Sequence, residues 1–256
     1  METRSLLPAV WEVPKSFRER LGTSAGRQRT MFDERHLLLV LHAPPKPDDT
    51  LRRGRFIWRK PDGSWTSNDL GGGIGALGKH LAEYAEVIQQ FDRLEEEAQT
   101  AADYFAVLEG LAPVLRAAAH LHQTLQEARR LVPEDRDLII MRDQAYDLER
   151  TADLLYTNAK NALDFAIARR AEEESRSSRQ MALSAHRLNI LAAFFFPLAT
   201  LSAIFGVNLL HGLEDSPPPL AFLVLVGAGL AAGAILAAFI TRRPPDDPPA
   251  KAELGK

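Results

Sequence analysis

The chain has 256 residues, 46% of them hydrophobic and 25% charged, and a formal net charge of −3. That mildly acidic balance argues against general nucleic-acid binding, which calls for a basic surface. The absence of cysteine excludes disulfides and thiolate-bound metal.

Residues 1–21 mix charges with apolar residues and have no long apolar core, so no signal peptide is expected there. Pro14 to Leu21 reads as a short helix stopped at Gly22. His36 to His42 is an apolar run of strand length closed by Pro44-Pro45. Two further strands are expected at 55–60 and 64–67, on either side of Pro61-Asp62-Gly63, where Pro presets φ and Gly accepts φ > 0. The expectation for residues 1–75 is a three- or four-stranded α/β unit leaning on helices.

Gly73-Ile74-Gly75-Ala76-Leu77-Gly78 fits G-x-G-x-x-G. A dinucleotide loop needs a strand before it and a βαβ unit after it. The preceding Ser67-Asn68-Asp69-Leu70 is not a buried strand and no βαβ pattern follows, so the favoured reading is a flexible loop before a helix. Residues 76–131 are rich in helix formers, with one break expected near 99–101 or 110–113. Glu95-Glu96-Glu97 reads as a solvated helix face, with a divalent-attracting surface as the alternative. His120 and His122 are two apart and point to different faces of a helix, a poor metal arrangement.

Pro133-Glu134-Asp135 starts a new helix, with Pro and acids in its first turn. No Pro or Gly follows until Pro197. An uninterrupted helix of that length, roughly 100 Å, needs a partner. Met141, Ala145, Leu148, Ala152, Leu155, Ala159, Ala162 and Ala166 form a heptad seam for one. The seam degrades at Arg169, and 172–180 is polar. A second stripe runs Ala182, Ala185, Asn189, Ala192, Phe196, Ala199, Ala203. It reads either as a packing face or as a narrow pore lined by copies of one helix, with Phe196 as its constriction. An Asn in lipid needs a partner or water, which favours the pore.

Two uncharged apolar runs, 188–207 and 220–240, are each long enough to cross a bilayer. Between them lies a short loop with Glu214 and Asp215 and no Lys or Arg. Arg176, Arg179 and Arg187 precede the first run, and Arg242 and Arg243 follow the second. The positive-inside rule then places both termini in the cytoplasm and the loop outside. Gly229 and Gly233 form a small-xxx-small pair, expected to pack on the first span. The tail from 244 reads as disordered.

This layout resembles the CorA family of divalent-cation channels, which includes ZntB-type zinc transporters. The family signature at the outer end of the first span is Tyr-Gly-Met-Asn, and here it reads Phe205-Gly206-Val207-Asn208. Phe195-Phe196-Pro197-Leu198 is similar to the family's aromatic-x-Pro-Leu segment. Arg142-Asp143-Gln144-Ala145-Tyr146-Asp147 loosely resembles a segment of its long helix. Val207 replaces the usual Met, and Ala199 stands where a Thr is common.

The resemblance implies a predominantly α membrane protein: a small N-terminal α/β cytoplasmic region (1–75), a helical region with a long stalk helix (76–186), a two-helix transmembrane hairpin (187–243) and a tail (244–256). It implies a homopentamer in the cell membrane, transporting a divalent cation such as Mg²⁺. Gly206, Val207 and Asn208 would form the outer selectivity ring, and Asn189, Ala192, Phe196 and Ala199 would line the pore. Glu214 and Asp215 would give the outer loop its acidity, and Asp147 would contribute to a regulatory divalent site. No further cofactor and no enzymatic activity are expected. The alternative is a membrane-anchored helical scaffold or sensor that does not conduct.

Overall fold

The computed structural model describes residues 6–46, 52–206 and 219–241. Four strands form an antiparallel sheet in the order β1-β2-β3-β4: Arg29–Asp33, His36–His42, Gly54–Arg59 and Trp65–Ser67. β1 was not expected from the sequence, where its five residues are too polar to stand out. Glu34 and Arg35 join it to β2 with φ of 47° and 63°. This is a two-residue hairpin turn of the left-handed kind, built here without glycine. Gly63 takes a φ of 86° in the turn between β3 and β4, as Pro61-Asp62-Gly63 predicts.

The unbroken apolar run of β2 has a structural cause: the sheet is covered on both faces. Leu37, Leu39 and Leu41 face one core with Ile57, Leu77, Leu81 and Tyr84. Leu38 and Val40 point the other way, to Leu7, Trp11, Phe17, Phe56 and Trp58. The first cover comes from helices and the second from the N-terminal segment, which includes the short helix α1 (Lys15–Glu19).

Helix α2 (Gly75–Glu97) begins inside the glycine motif, so Gly73 to Gly75 is a loop entering a helix. Of the two breaks weighed, the one near 99–101 is found. Thr100 caps α3 (Ala101–Leu131) through a reciprocal capping box with Asp103. Gly110 and Pro113 lie within the continuous α3, and Gly110 makes room for the Phe91 ring. Helix α4 is one element from Arg136 to Gly206, 71 residues long. It starts just after the predicted Pro133-Glu134-Asp135. Asp135 Oδ1 accepts from the backbone N–H of Asp137 and Leu138, which makes Asp135 the cap. Helix α5 runs Leu220–Thr241.

The chain divides into two compact units, Met1–Arg169 and Arg170–Lys256. In the first unit the heptad seam already has its partner. Ala145, Ala152 and Leu155 share one buried cluster with Leu111, Leu121 and Leu125 of α3. The helices lock further where His122 Nδ1 meets Glu149 Oε2 at 2.6 Å and Arg142 donates to Gln126. The sequence argument took this seam as the surface that calls for other copies. The structure uses it within one chain, because α3 folds back along α4 with leucines of the matching spacing.

In the second unit the end of α4 and all of α5 are long and apolar enough to cross a membrane. The fold class expected from the sequence is the one observed: predominantly helical, with a small N-terminal antiparallel sheet, one long helix and an apolar C-terminal helix.

Candidate functional site

The hairpin of α4 and α5 is built on glycine. A Cβ on Gly233 would stand 2.4 Å from the Phe194 carbonyl oxygen, and one on Gly229 would stand 2.8 Å from the Leu198 side chain. Both glycines are buried. Their absent side chains let the two backbones approach closely, which is how helices associate where apolar burial gives no advantage. The predicted contact of this pair with the first run is therefore present. The two contacts step in opposite senses along the helices, so α4 and α5 are antiparallel. Carrying that register to the end of α5 puts Thr241 level with His186.

The contact identifies the faces of α4. Ile190, Phe194, Pro197, Leu198 and Leu201 are half-buried and lie toward α5. Asn189, Ala192, Phe196 and Ala199 are exposed, Phe196 at 71%, and at 3.6 residues per turn they lie on the opposite side. The second stripe is thus not the packing face of the hairpin. Pro197 has no N–H to offer the turn before it, and Thr200 Oγ1 donates to the Phe196 carbonyl in the next turn. Gly206 is the last residue of α4 and exposed, with open space around it. Val207, Asn208, Glu214 and Asp215 lie outside the described residues.

Asp147 is exposed on α4, on the side away from the seam. Among the described residues, no three His, Cys, Asp or Glu side chains come together to hold a metal ion. Asp147 belongs to the first unit, and the other described site residues predicted from the sequence belong to the second.

Polar clusters that sequence reading missed lie in the first unit. Arg55 on β3, with only 5% of its side chain exposed, reaches α2: it donates to His80 Nδ1 at 3.0 Å and pairs with Glu83 at 2.8 Å. Its Nε stands 3.4 Å from Asp69. An arginine only donates, so His80 accepts at Nδ1 and carries its proton on Nε2. Burial, then the Arg55 charge, push the His80 pKa down to about 3. Burial likewise raises the Tyr84 hydroxyl, whose O–H donates to the His42 carbonyl, and lowers His42. A second pair, Arg59 Nε to Asp135 Oδ2 at 2.6 Å, ties the sheet to the capping residue of α4. These partners are 14 to 76 residues apart in the chain, so no local pattern announces them. They tie β3 to α2 and the sheet to the start of α4, while among the described residues Arg55 Nε and His80 Nε2 remain buried without a hydrogen-bond partner.

No protein-family model matches this chain, and no curated protein matches it. Solved structures do. The chain is similar to the CorA magnesium transporter from Methanocaldococcus jannaschii, at 14% identity over 86% of this chain and 80% of that one, with a TM-score of 0.42. It is also similar to the full-length CmaX protein, at 15% identity over 85% of this chain and 78% of that one, with a TM-score of 0.51. The superposition on the first is too loose to carry an argument. The second establishes what this chain shares with a known structure: its fold.

Proposed function

We propose that this protein is a CorA-like channel or transporter that moves a divalent metal cation across the cell membrane, with both termini cytoplasmic. The observation that carries the reading is the division of α4 into two faces. Glycine contacts hold α5 against one face, and the stripe Asn189, Ala192, Phe196 and Ala199 stays uncovered on the other. A helix arranged so has one face free to meet its copies around an axis. The CorA resemblance and this uncovered face support a homopentamer. It no longer follows from the heptad seam, which α3 occupies.

The hairpin register refines the roles. If His186 and Thr241 mark one edge of the hydrocarbon, Asn189 stands about 5 Å inside it, near the cytoplasmic mouth. Phe196 stands roughly 15 Å inside, at the middle of a ~30 Å core. Phe196 is then the apolar constriction and Asn189 an entry residue wetted from the cytoplasm. Gly206 ends the span, and Asn208 beyond it supplies the outer amide ring. Neutral amide oxygens suit Mg²⁺, which holds its waters tightly and passes best as a hydrated ion held weakly. Asp147, exposed on the stalk, is the candidate for divalent regulation.

The non-conducting scaffold or sensor has one observation in its favour. The exposed stripe holds a phenylalanine and alanines where a conducting pore is eased by hydroxyls. Divalent-cation flux into liposomes separates the two readings. We expect flux from the unaltered protein and none from Asn208→Ala or Asn208→Gly, with the oligomer intact by size exclusion. Full flux in Asn208→Gly would reduce Asn208 to a helix cap. No flux from the unaltered protein with Mg²⁺, Co²⁺, Ni²⁺ or Zn²⁺ would favour the scaffold.

A further inference from the structure

The face of α4 that α5 covers continues beyond the end of α5, and there it is basic. At 3.6 residues per turn, Arg176, Arg179 and Arg187 fall on the same side as Ile190, Phe194 and Leu201. Ile240 is half-buried, so α5 keeps contact to about the level of Arg187.

The charges along this stretch are not alike. Arg170 pairs with Glu174, and Arg176 with Glu172. From Ser175 to Gly206 α4 has no Asp or Glu, and α5 has none. Among the described residues no carboxylate pairs with Arg179 or Arg187, which stand about 12 Å apart. Between them on the same face Leu183 is exposed, at 59%. Water does not favour apolar side chains held open between two guanidinium groups. A lipid interface does, since it takes the apolar groups at the acyl boundary and the cations at the phosphates.

We propose that residues 179–187 bind the phosphate headgroups of anionic lipids at the membrane surface where α4 enters. Arg187 stands at the hydrocarbon edge. Its side chain slants back toward the helix N-terminus, out of the core and into the headgroup layer. Its planar fork matches two phosphate oxygens at once. Arg179 lies in the outer part of that layer, and Arg176 is balanced by its own carboxylate. The proposal rests on α4 and α5 spanning the bilayer, and it is independent of what the protein conducts.

The test uses the full chain in phosphatidylcholine vesicles carrying traces of spin-labelled phosphatidylglycerol or phosphatidylcholine. The fraction of motionally restricted label is read by electron paramagnetic resonance. We expect roughly a two- to fivefold preference for phosphatidylglycerol, weakened by salt. It should fall at least by half in Arg179→Gln/Arg187→Gln, with Arg242 and Arg243 supplying what remains, and persist unchanged in Arg176→Gln. Added inorganic phosphate should leave it in place, and abolition by phosphate would assign the site to a free anion instead. Equal restriction of both labels by the unaltered protein, or a preference that falls by less than half in the double variant, would overturn the proposal. Resistance of the vesicle-bound protein to an alkaline carbonate wash reports insertion separately. Failure there sinks the spanning reading together with this one, whereas insertion without preference sinks this one alone.

Discussion

Helix α4 passes through two regimes of packing. Up to Arg169 it buries Leu138, Ala145, Ala152, Leu155 and Ala159 against the rest of its own unit. Beyond Ala159 none of its described residues is fully buried, and in α5 only Gly229 and Gly233 are. The first regime is driven by water: leucines close over alanines, and the apolar area removed stabilises the fold at about 25 cal/mol per Å². In the second, large apolar side chains face outward and glycines meet backbone. That inversion is expected where the surroundings are themselves apolar and only close contact holds helices together. One continuous helix therefore carries two different answers to what makes a neighbour favourable.

The contrast is broken most severely in the water-driven unit. Leu121 is fully buried between the sheet-bearing core and α4. Leu121→Ala should cost about 2–5 kcal/mol through lost burial and the cavity left behind. Phe165, larger but 70% exposed, should change stability by less than about 0.5 kcal/mol on replacement by Ala. Denaturant unfolding of the first unit, followed by its tryptophans, measures both. Equal losses would contradict the division drawn here.

The hairpin answers to the opposite substitution. Gly233→Leu drives a side chain into the Phe194 carbonyl and should part α4 from α5, at roughly 1–3 kcal/mol or more. Gly227 has nothing within 4 Å of a Cβ, so Gly227→Leu should leave the helices together. Cysteine cross-linking between positions 190 and 237 in membranes reads the separation. Parting by the Gly227 change, with none from Gly233, would reverse the register.

Acid separates the units in a third way. His80 is neutral in the folded chain, with its pKa depressed from 6.5 to about 3. Above pH 6.5 it contributes no pH dependence. As pH falls below 6.5 the unfolded chain takes up a proton that the folded chain refuses. Stability should therefore drop by roughly 1 kcal/mol per pH unit toward pH 3. His42, also lowered, adds in the same direction. His80→Gln should flatten this slope in pH-dependent unfolding of the first unit. An unchanged slope would show that His80 is not its source. A further loss, read by the same denaturant unfolding, is expected at the start of α4. Asp135→Ala removes both the cap and the partner of Arg59 and should cost about 1–2 kcal/mol.

Much of this architecture was legible along the chain because its causes are local. Uncharged runs of about 20 residues marked the hairpin, and Pro61-Asp62-Gly63 marked the turn. The favoured loop reading of the glycine motif held because β4, which precedes it, belongs to a wholly antiparallel sheet and no βαβ unit follows. Thr100, which caps α3, lay inside one of the two predicted breaks. What periodicity gave was the chemistry of each helix face. What it left open was the cover. The seam at Ala145, Ala152 and Leu155 was read as a surface for other copies, because periodicity shows that a face is apolar and not which partner covers it. Only the folded chain decided for α3. Likewise Gly229 and Gly233 announced a close contact, but only tertiary packing chose the Phe194 side of α4 over the Phe196 side. Arg55, His80 and Glu83 carried no signal at all, because a buried charge network is assembled by the approach of β3 to α2, and the energy that justifies it exists only after water has left.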